Sequence, residues 1–201
     1  LVAKLREIIS NGNTVIVVEH DPDFIAEVDY VIEMGPESGK RGGELLFQGT
    51  PSKSPMLKSL NSQVFESRSR LKEERIKGDS FGVKGAKLNN LKSIDVTLFE
   101  GQITAIVGPS GSGKSTLLLS ILGVLRAQKG SVEIYGRPPF SRSTIGRIGW
   151  VSQAASNLPR DVRITVRELV RLGTLNGKNM FSWSDKGRVK RVNEAIKMVG
   201  L

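Results

Sequence analysis

The stretch GPSGSGKST, Gly108 to Thr116, decides the fold. It fits the pattern GxxxxGK(S/T) with Gly108, Gly113, Lys114 and Ser115, a loop whose glycines let successive backbone N–H groups converge on phosphate oxygens. At average residue frequencies the pattern arises by accident in on the order of one chain of this length in a hundred. The flanks make accident rarer still. Ile103 to Val107 (ITAIV) is a short apolar run of the kind that forms a buried parallel strand, and Leu117 to Leu125 (LLLSILGVL) reads as the helix that should follow. A strand, loop and helix in that order put the positive end of the helix dipole and its unpaired amides beneath a β-phosphate. The cradle comprises Gly108, Pro109, Ser110, Gly111, Ser112, Gly113, Lys114, Ser115 and Thr116. Lys114 is expected to reach the β and γ oxygens of ATP, Ser115 to place its hydroxyl on Mg2+, and Thr116 to contact the α-phosphate. The competing reading is a Gly/Ser-rich surface turn.

Working outward, the 201 residues are enough for a domain with a real core or for parts of two. The absence of cysteine excludes a disulfide framework and a cysteine-ligated zinc site, and a single histidine argues against a histidine-based metal site. No apolar stretch is long enough to cross a bilayer and no signal peptide is visible, so a cytoplasmic protein is expected. The chain opens at Leu1 in what reads as mid-helix, so a fragment is expected. A net charge of +10 points to a polyanionic partner: nucleic acid, an anionic membrane surface or the nucleotide itself. The excess is spread over Ser67 to Gly78, Arg137 to Arg147 and Lys186 to Arg191, each of which can equally be a solvated face.

The first block reads as helix (LVAKLREII, stopping at Asn11-Gly12-Asn13), strand (Thr14 to Val18), short helix (Asp21 to Val28), strand (Tyr30 to Met34) and a strand in GGELLFQG with turns on both sides. From Thr50 to about Ser80 the composition shifts to Ser, Lys, Arg and Glu, as in a linker. The second block opens near Phe81 with two β-rich stretches around Asn89-Asn90 and Glu100-Gly101. After the P-loop helix come an expected strand in SVEIYG and another in IGRIGWVSQ ending at Gln153. Thr165 followed by Glu168 is a capping box, and the last helix is expected to carry Val189, Val192, Ile196 and Val199 on one stripe. Trp150 and Trp183 are expected to fill core or edge space. The alternation of strands and helices means α/β.

These residues resemble the ATP-binding cassette (ABC) superfamily. GPSGSGKST resembles its Walker A, Gln153 in GWVSQ its Q-loop glutamine roughly forty residues downstream, and His20 in VIVVEHD its switch histidine. The resemblance implies a P-loop NTPase with a mostly parallel core sheet plus an antiparallel β subdomain. It also implies roles: His20 bonds to the γ-phosphate, and Gln153 contacts Mg2+ or the attacking water and reports to a partner domain. In one cassette the histidine comes last, yet here it precedes the P-loop. The order implies residues 1–52 as the end of a first ABC ATPase domain, 53–80 as a charged linker and 81–201 as the start of a second. In this superfamily the histidine-bearing strand lies beside the P-loop strand, so TVIVV is also able to pair in parallel with ITAIV within this chain.

At subfamily level the two ends differ. The segment Asn13 to Pro51 and the segment Gly85 to Val96 resemble the UvrA-like family of excinuclease ATPases, at the end of its first and the start of its second ATPase domain. Beyond Thr116, RIGWVSQ, ITVRELVRLG and RVNEAIKMVGL resemble the ATPases of metal or iron-chelate ABC importers. Three functions follow: a tandem ATPase of DNA-damage recognition in nucleotide excision repair, an importer ATPase coupled to a membrane permease, or a nucleotide-binding module that does not hydrolyse. The expected partners are ATP, a second ABC ATPase domain, and DNA or the permease. The signature motif and the Walker B aspartate-glutamate pair are missing from the sequence, and Phe81 is a weak substitute for an adenine-stacking aromatic. The chain is therefore expected to bind Mg-ATP far better than it hydrolyses it.

Overall fold

The computed structural model describes residues 1–60, 79–126, 128–139, 141, 143–144, 147–151, 164–174 and 186–200. The chain divides into two compact units, Leu1–Ile145 and Gly146–Leu201. In the first, the apolar runs found in the sequence become β1 (Val15–Val18), β2 (Tyr30–Gly35), β3 (Glu44–Gly49) and β6 (Ile103–Val107), in the sheet order β1-β6-β2-β3. The strand that feeds the P-loop is central. It pairs in parallel with β1 on one side, Val15 opposite Ile103 through Val18 opposite Ile106, and with β2 on the other, Tyr30 opposite Thr104 through Glu33 opposite Val107. The parallel pairing of TVIVV with ITAIV is thus present, and the two sequence blocks share one sheet. β2 and β3 form the antiparallel hairpin at the other side.

A strand between two parallel neighbours is covered on both faces, which is why all five residues of β6 are buried and apolar or small. One face packs Tyr30, Ile32, Met34 and Ile106 against Leu117, Leu118 and Ile121 of helix α4 (Lys114–Ile121). The same core takes in the second, antiparallel sheet, β5-β4-β7, built from β4 (Ser80–Leu88), β5 (Leu91–Phe99) and β7 (Lys129–Glu133). The other face packs Ile103, Ala105 and Val107 against Phe24 and Ile25 of α2 (Pro22–Glu27) and Leu57 of α3 (Pro55–Leu60). Helix α1 (Val2–Ser10) lays Val2, Leu5 and Ile9 on that side. Asp21 caps α2, its side chain accepting from the Asp23 amide.

A buried carboxylate fastens the two blocks. Asp29 is 4% exposed, and its Oδ2 accepts from the Arg6 guanidinium and, at 2.9 Å, from the Ile103 N–H that opens β6. Asp29→Ala leaves that amide without its side-chain acceptor and Arg6 with only the Glu27 carbonyl. The expected loss is about 2 kcal/mol of unfolding free energy, read as a lowered urea midpoint at unchanged m-value.

The P-loop helix starts at Lys114 rather than Leu117, because Gly113 at φ 99° ends the loop and serves as N-cap. In SVEIYG the strand ends at Glu133, and Ile134 makes only an isolated bridge to Arg137.

In the second unit, Thr165 caps α5 (Val166–Leu172) in the expected reciprocal capping box with Glu168. Accepting from the Thr165 amide and hydroxyl lowers the Glu168 pKa. The last helix, α6 (Lys186–Met198), buries Val192 as expected, but Val189 and Val199 are 58% and 57% exposed. Its inward row is Arg188, Val192 and the half-buried Ile196, an i, i+4, i+8 line that excludes Val189 by one residue's rotation. The strand expected to end at Gln153 is not formed over 147–151. Trp150 and Val151 are 49% and 84% exposed there. Trp150 therefore does not fill core, and Trp183 lies outside the described residues.

Candidate nucleotide-binding site

The loop between β6 and α4 is a closed turn whose shape depends on its glycines. Gly108, Gly111 and Gly113 have φ of 138°, 77° and 99°, backbone that other residues adopt only with strain. Gly108 also lies against β2: a Cβ there would meet the Met34 carbonyl oxygen at 2.1 Å. The Ser112 N–H donates to the Pro109 carbonyl at 3.2 Å, which bends the chain back on itself. Pro109, Ser110 and Gly111 form the exposed apex, whereas Ser112 is fully buried with its hydroxyl unpartnered among the described residues.

Helix α4 has no side-chain cap, and its first internal bond runs from the Leu117 N–H to the Gly113 carbonyl at 2.8 Å. The amides of Lys114, Ser115 and Thr116 precede that bond, and the helix itself offers them no acceptor. They add a partial positive charge at the loop's inner end. The Ser115 side chain is exposed on this first turn and Thr116 is half-buried.

Lys114 bends back over the loop. Its Nζ donates to the carbonyls of Gly108 and Pro109, both at 2.7 Å. Burial lowers its pKa below the usual lysine value, because the ammonium loses water and gains only neutral acceptors. A polyphosphate at this place favours the charged form and raises that pKa again. Polyphosphate affinity is therefore expected to fall as pH rises through the lowered pKa of the free protein, with net proton uptake on binding in that range. Calorimetry in buffers of different ionisation heat checks this, and Lys114→Arg, always charged, should lose the uptake.

The other expected site residues are placed unequally. His20 follows β1, next to the end of β6: the Glu19 N–H donates to the Ile106 carbonyl at 3.4 Å, and the His20 imidazole is 97% exposed. Gln153 lies outside the described residues. Phe81 is half-buried and meets Tyr135 in a tilted pair at 5.9 Å rather than presenting a free face. Sequence reasoning missed Asn90, whose side-chain amide donates to the Gly111 carbonyl at 2.9 Å, and the loop of residues 36–43, which bonds to Gly111 and Ser112. The signal was there in part, as Gly42-Gly43 and Asn89-Asn90, but both pairs read equally well as ordinary turns.

The amides of Lys114, Ser115 and Thr116, without an acceptor in their own helix, together with the lysine folded over the loop, fit a nucleotide's phosphates. For Mg2+ the described part of this site offers the Ser115 hydroxyl, a hard oxygen of the kind that cation takes alongside phosphate oxygens and water. Among the described residues no group of three or more His, Asp or Glu side chains is able to hold a metal ion by itself.

Comparison with known proteins agrees with this geometry. Residues 91–201 match the family model described as ABC transporter. UvrABC system protein A of Staphylococcus epidermidis (strain RP62A) is 40% identical over 134 residues, covering 64% of this chain and 14% of its own. The protein of the same name from Deinococcus radiodurans is 40% identical over 134 residues, covering 64% and 13%, and that from Lactiplantibacillus plantarum gives 40%, 64% and 14%. The chain thus spans about one seventh of the length of these relatives. With the P-loop between strand and helix, the central parallel strand and a family model over more than half its residues, the chain belongs to the ABC transporter family.

Proposed function

We propose that this chain carries the ATP-binding loop of a tandem ABC ATPase of the UvrA-like excinuclease type, acting in DNA-damage recognition during nucleotide excision repair. The observation that carries the nucleotide part is the loop itself: three left-handed glycines, a lysine folded over it and an uncapped helix start beneath it. The repair part is supported by relatives whose names place them in the UvrABC system, and these favour it over the importer reading. A net charge of +10 suits a partner made of phosphodiesters. Among the described residues no helix is long and apolar enough to cross a membrane.

In this reading the amides of residues 113–116 hold the phosphates, Lys114 leaves the loop carbonyls for the β and γ oxygens, and Ser115 and Gln153 would hold Mg2+ alongside phosphate oxygens and water. Bound there, Mg2+ supplies charge neutralisation for the triphosphate. His20, at the end of the strand alongside β6, senses the γ-phosphate. Residues 1–52 carry the end of a first ATPase domain and 81–201 the start of a second, joined through 53–80; here the two share one sheet, with Leu57 in its core, and the signature and Walker B carboxylates come from elsewhere. Closure of paired domains on ATP then reshapes a DNA-binding surface in a cytoplasmic protein. The test is DNA-stimulated ATPase activity of the longer protein that contains this chain. Stimulation that falls steeply with salt supports the reading, and co-purification with a permease in its place overturns the repair assignment.

A further inference from the structure

We propose that the glycine-rich loop of residues 36–43, between β2 and β3, is a clamp that sets the phosphate affinity of the P-loop from its outer side, with Asn90 as a positioning residue. The inference rests on the reading of the P-loop as a phosphate site.

The clamp is bonded to the P-loop through the P-loop's own carbonyls. The Gly39 N–H donates to the Gly111 carbonyl at 3.0 Å, and the Gly43 N–H donates to the Ser112 carbonyl at 3.0 Å. Asn90 adds its side-chain amide to the Gly111 carbonyl at 2.9 Å, and the Gly43 carbonyl in turn accepts from the Lys92 N–H at 2.9 Å. The loop of residues 36–43 is thereby tied at Gly39 and Gly43 to the phosphate loop and at Gly43 to the start of β5.

The consequence follows from the planar trans peptide, in which C=O and N–H point to opposite sides. Holding the Gly111 and Ser112 carbonyls outward turns the Ser112 and Gly113 amides the other way. The first closes the turn onto Pro109, and the second lies immediately before the amides that open α4. The clamp thus fixes in advance the closed turn at Ser112 and the peptide plane of the Gly113 amide that would meet an anion, and less ordering is left for binding to impose.

Steric fit supports a built contact. A Cβ on Gly43, at φ 82°, would lie 1.6 Å from the Asn90 carbonyl oxygen, one on Gly42 would lie 3.0 Å from the Ser112 Cα, and one on Gly111 would lie 2.9 Å from the Ser38 Cβ. Gly39 differs: its φ is 59° but nothing lies within 4 Å of its Cβ position, so only its amide matters. Because the clamp belongs to the first sequence block and the P-loop to the second, docking of one and phosphate binding by the other are linked, each favouring the other.

The test measures binding of ATP and of inorganic tripolyphosphate, both with Mg2+, to the full chain by calorimetry. Asn90→Ala should weaken both ligands by the same factor, about 3- to 10-fold, since one hydrogen bond is lost and the adenosine is untouched. Asn90→Asp, which places a carboxylate against the Gly111 carbonyl, should weaken both further. Thermal midpoints without ligand show whether each variant is folded, and Gly111→Ala, which pushes on Ser38, is the second route to the same loss. Parent-like affinity in folded Asn90→Ala and Asn90→Asp, or a loss for ATP that spares tripolyphosphate, overturns the clamp. Lys114→Ala separates the two ideas: if it abolishes binding while the Asn90 variants do not matter, the clamp alone fails. If it leaves binding intact, the phosphate reading fails.

Discussion

Lys114→Ala is expected to weaken ATP binding by about 100-fold or more. The ammonium makes two hydrogen bonds of 2.7 Å to loop carbonyls, and both donors are available to phosphate oxygens once a nucleotide arrives. A charge-assisted hydrogen bond contributes roughly 1.5 to 3 kcal/mol, so losing two costs about 3 kcal/mol or more, and each 1.4 kcal/mol is about a factor of ten. Fluorescence anisotropy of a labelled ATP analogue measures it. AMP, which lacks the β and γ oxygens, should lose far less, and an equal loss for AMP and ATP would mean that the substitution damages the loop rather than the contact.

Gly108→Ala is expected to be the most damaging conservative change in the P-loop. Its φ of 138° is foreign to alanine, and the added methyl carbon would overlap the Met34 carbonyl oxygen at 2.1 Å. Neither side yields easily, since Met34 lies in β2, the fully buried neighbour of β6. Backbone strain and overpacking together are expected to cost about 3 to 5 kcal/mol. Chemical denaturation reads the loss directly, and nucleotide binding should fall with it because the strand end that aims the loop has moved. A variant as stable as the parent would mean that β2 does not confine this turn.

The sequence showed the parts of this fold that rest on local pattern. GPSGSGKST is read by spacing, the Thr165 and Glu168 capping box by two residues, and β1 and β6 by short apolar runs, of which β6 is buried throughout and β1, at the end of the sheet order, is half-buried. The parallel pairing of β1 with β6 was legible because the reversed order of histidine and P-loop asked for it. What local pattern does not carry is which surfaces meet. The apolar residues Ile148, Trp150 and Val151 suggest a strand, yet residues 147–151 form none, since a strand needs ladder partners that local composition does not name. Val189 and Val192 differ by three residues and fit one helical stripe, but the row that is buried runs through Arg188. The clamp was hidden for the same reason: Gly42 and Gly43 sit 48 and 47 residues before Asn90, Asn90 lies 21 before Gly111, and nothing in either turn names its partner.

Amide chemical shifts give the most direct test of the claim that the main chain of residues 113–116 holds a triphosphate. In 15N-labelled full chain, Mg-ATP and tripolyphosphate should both move the amides of Gly113, Lys114, Ser115 and Thr116 downfield, as new hydrogen bonds to anionic oxygens require, while amides of α1 stay in place. Saturating nucleotide that leaves those four resonances unmoved contradicts the account.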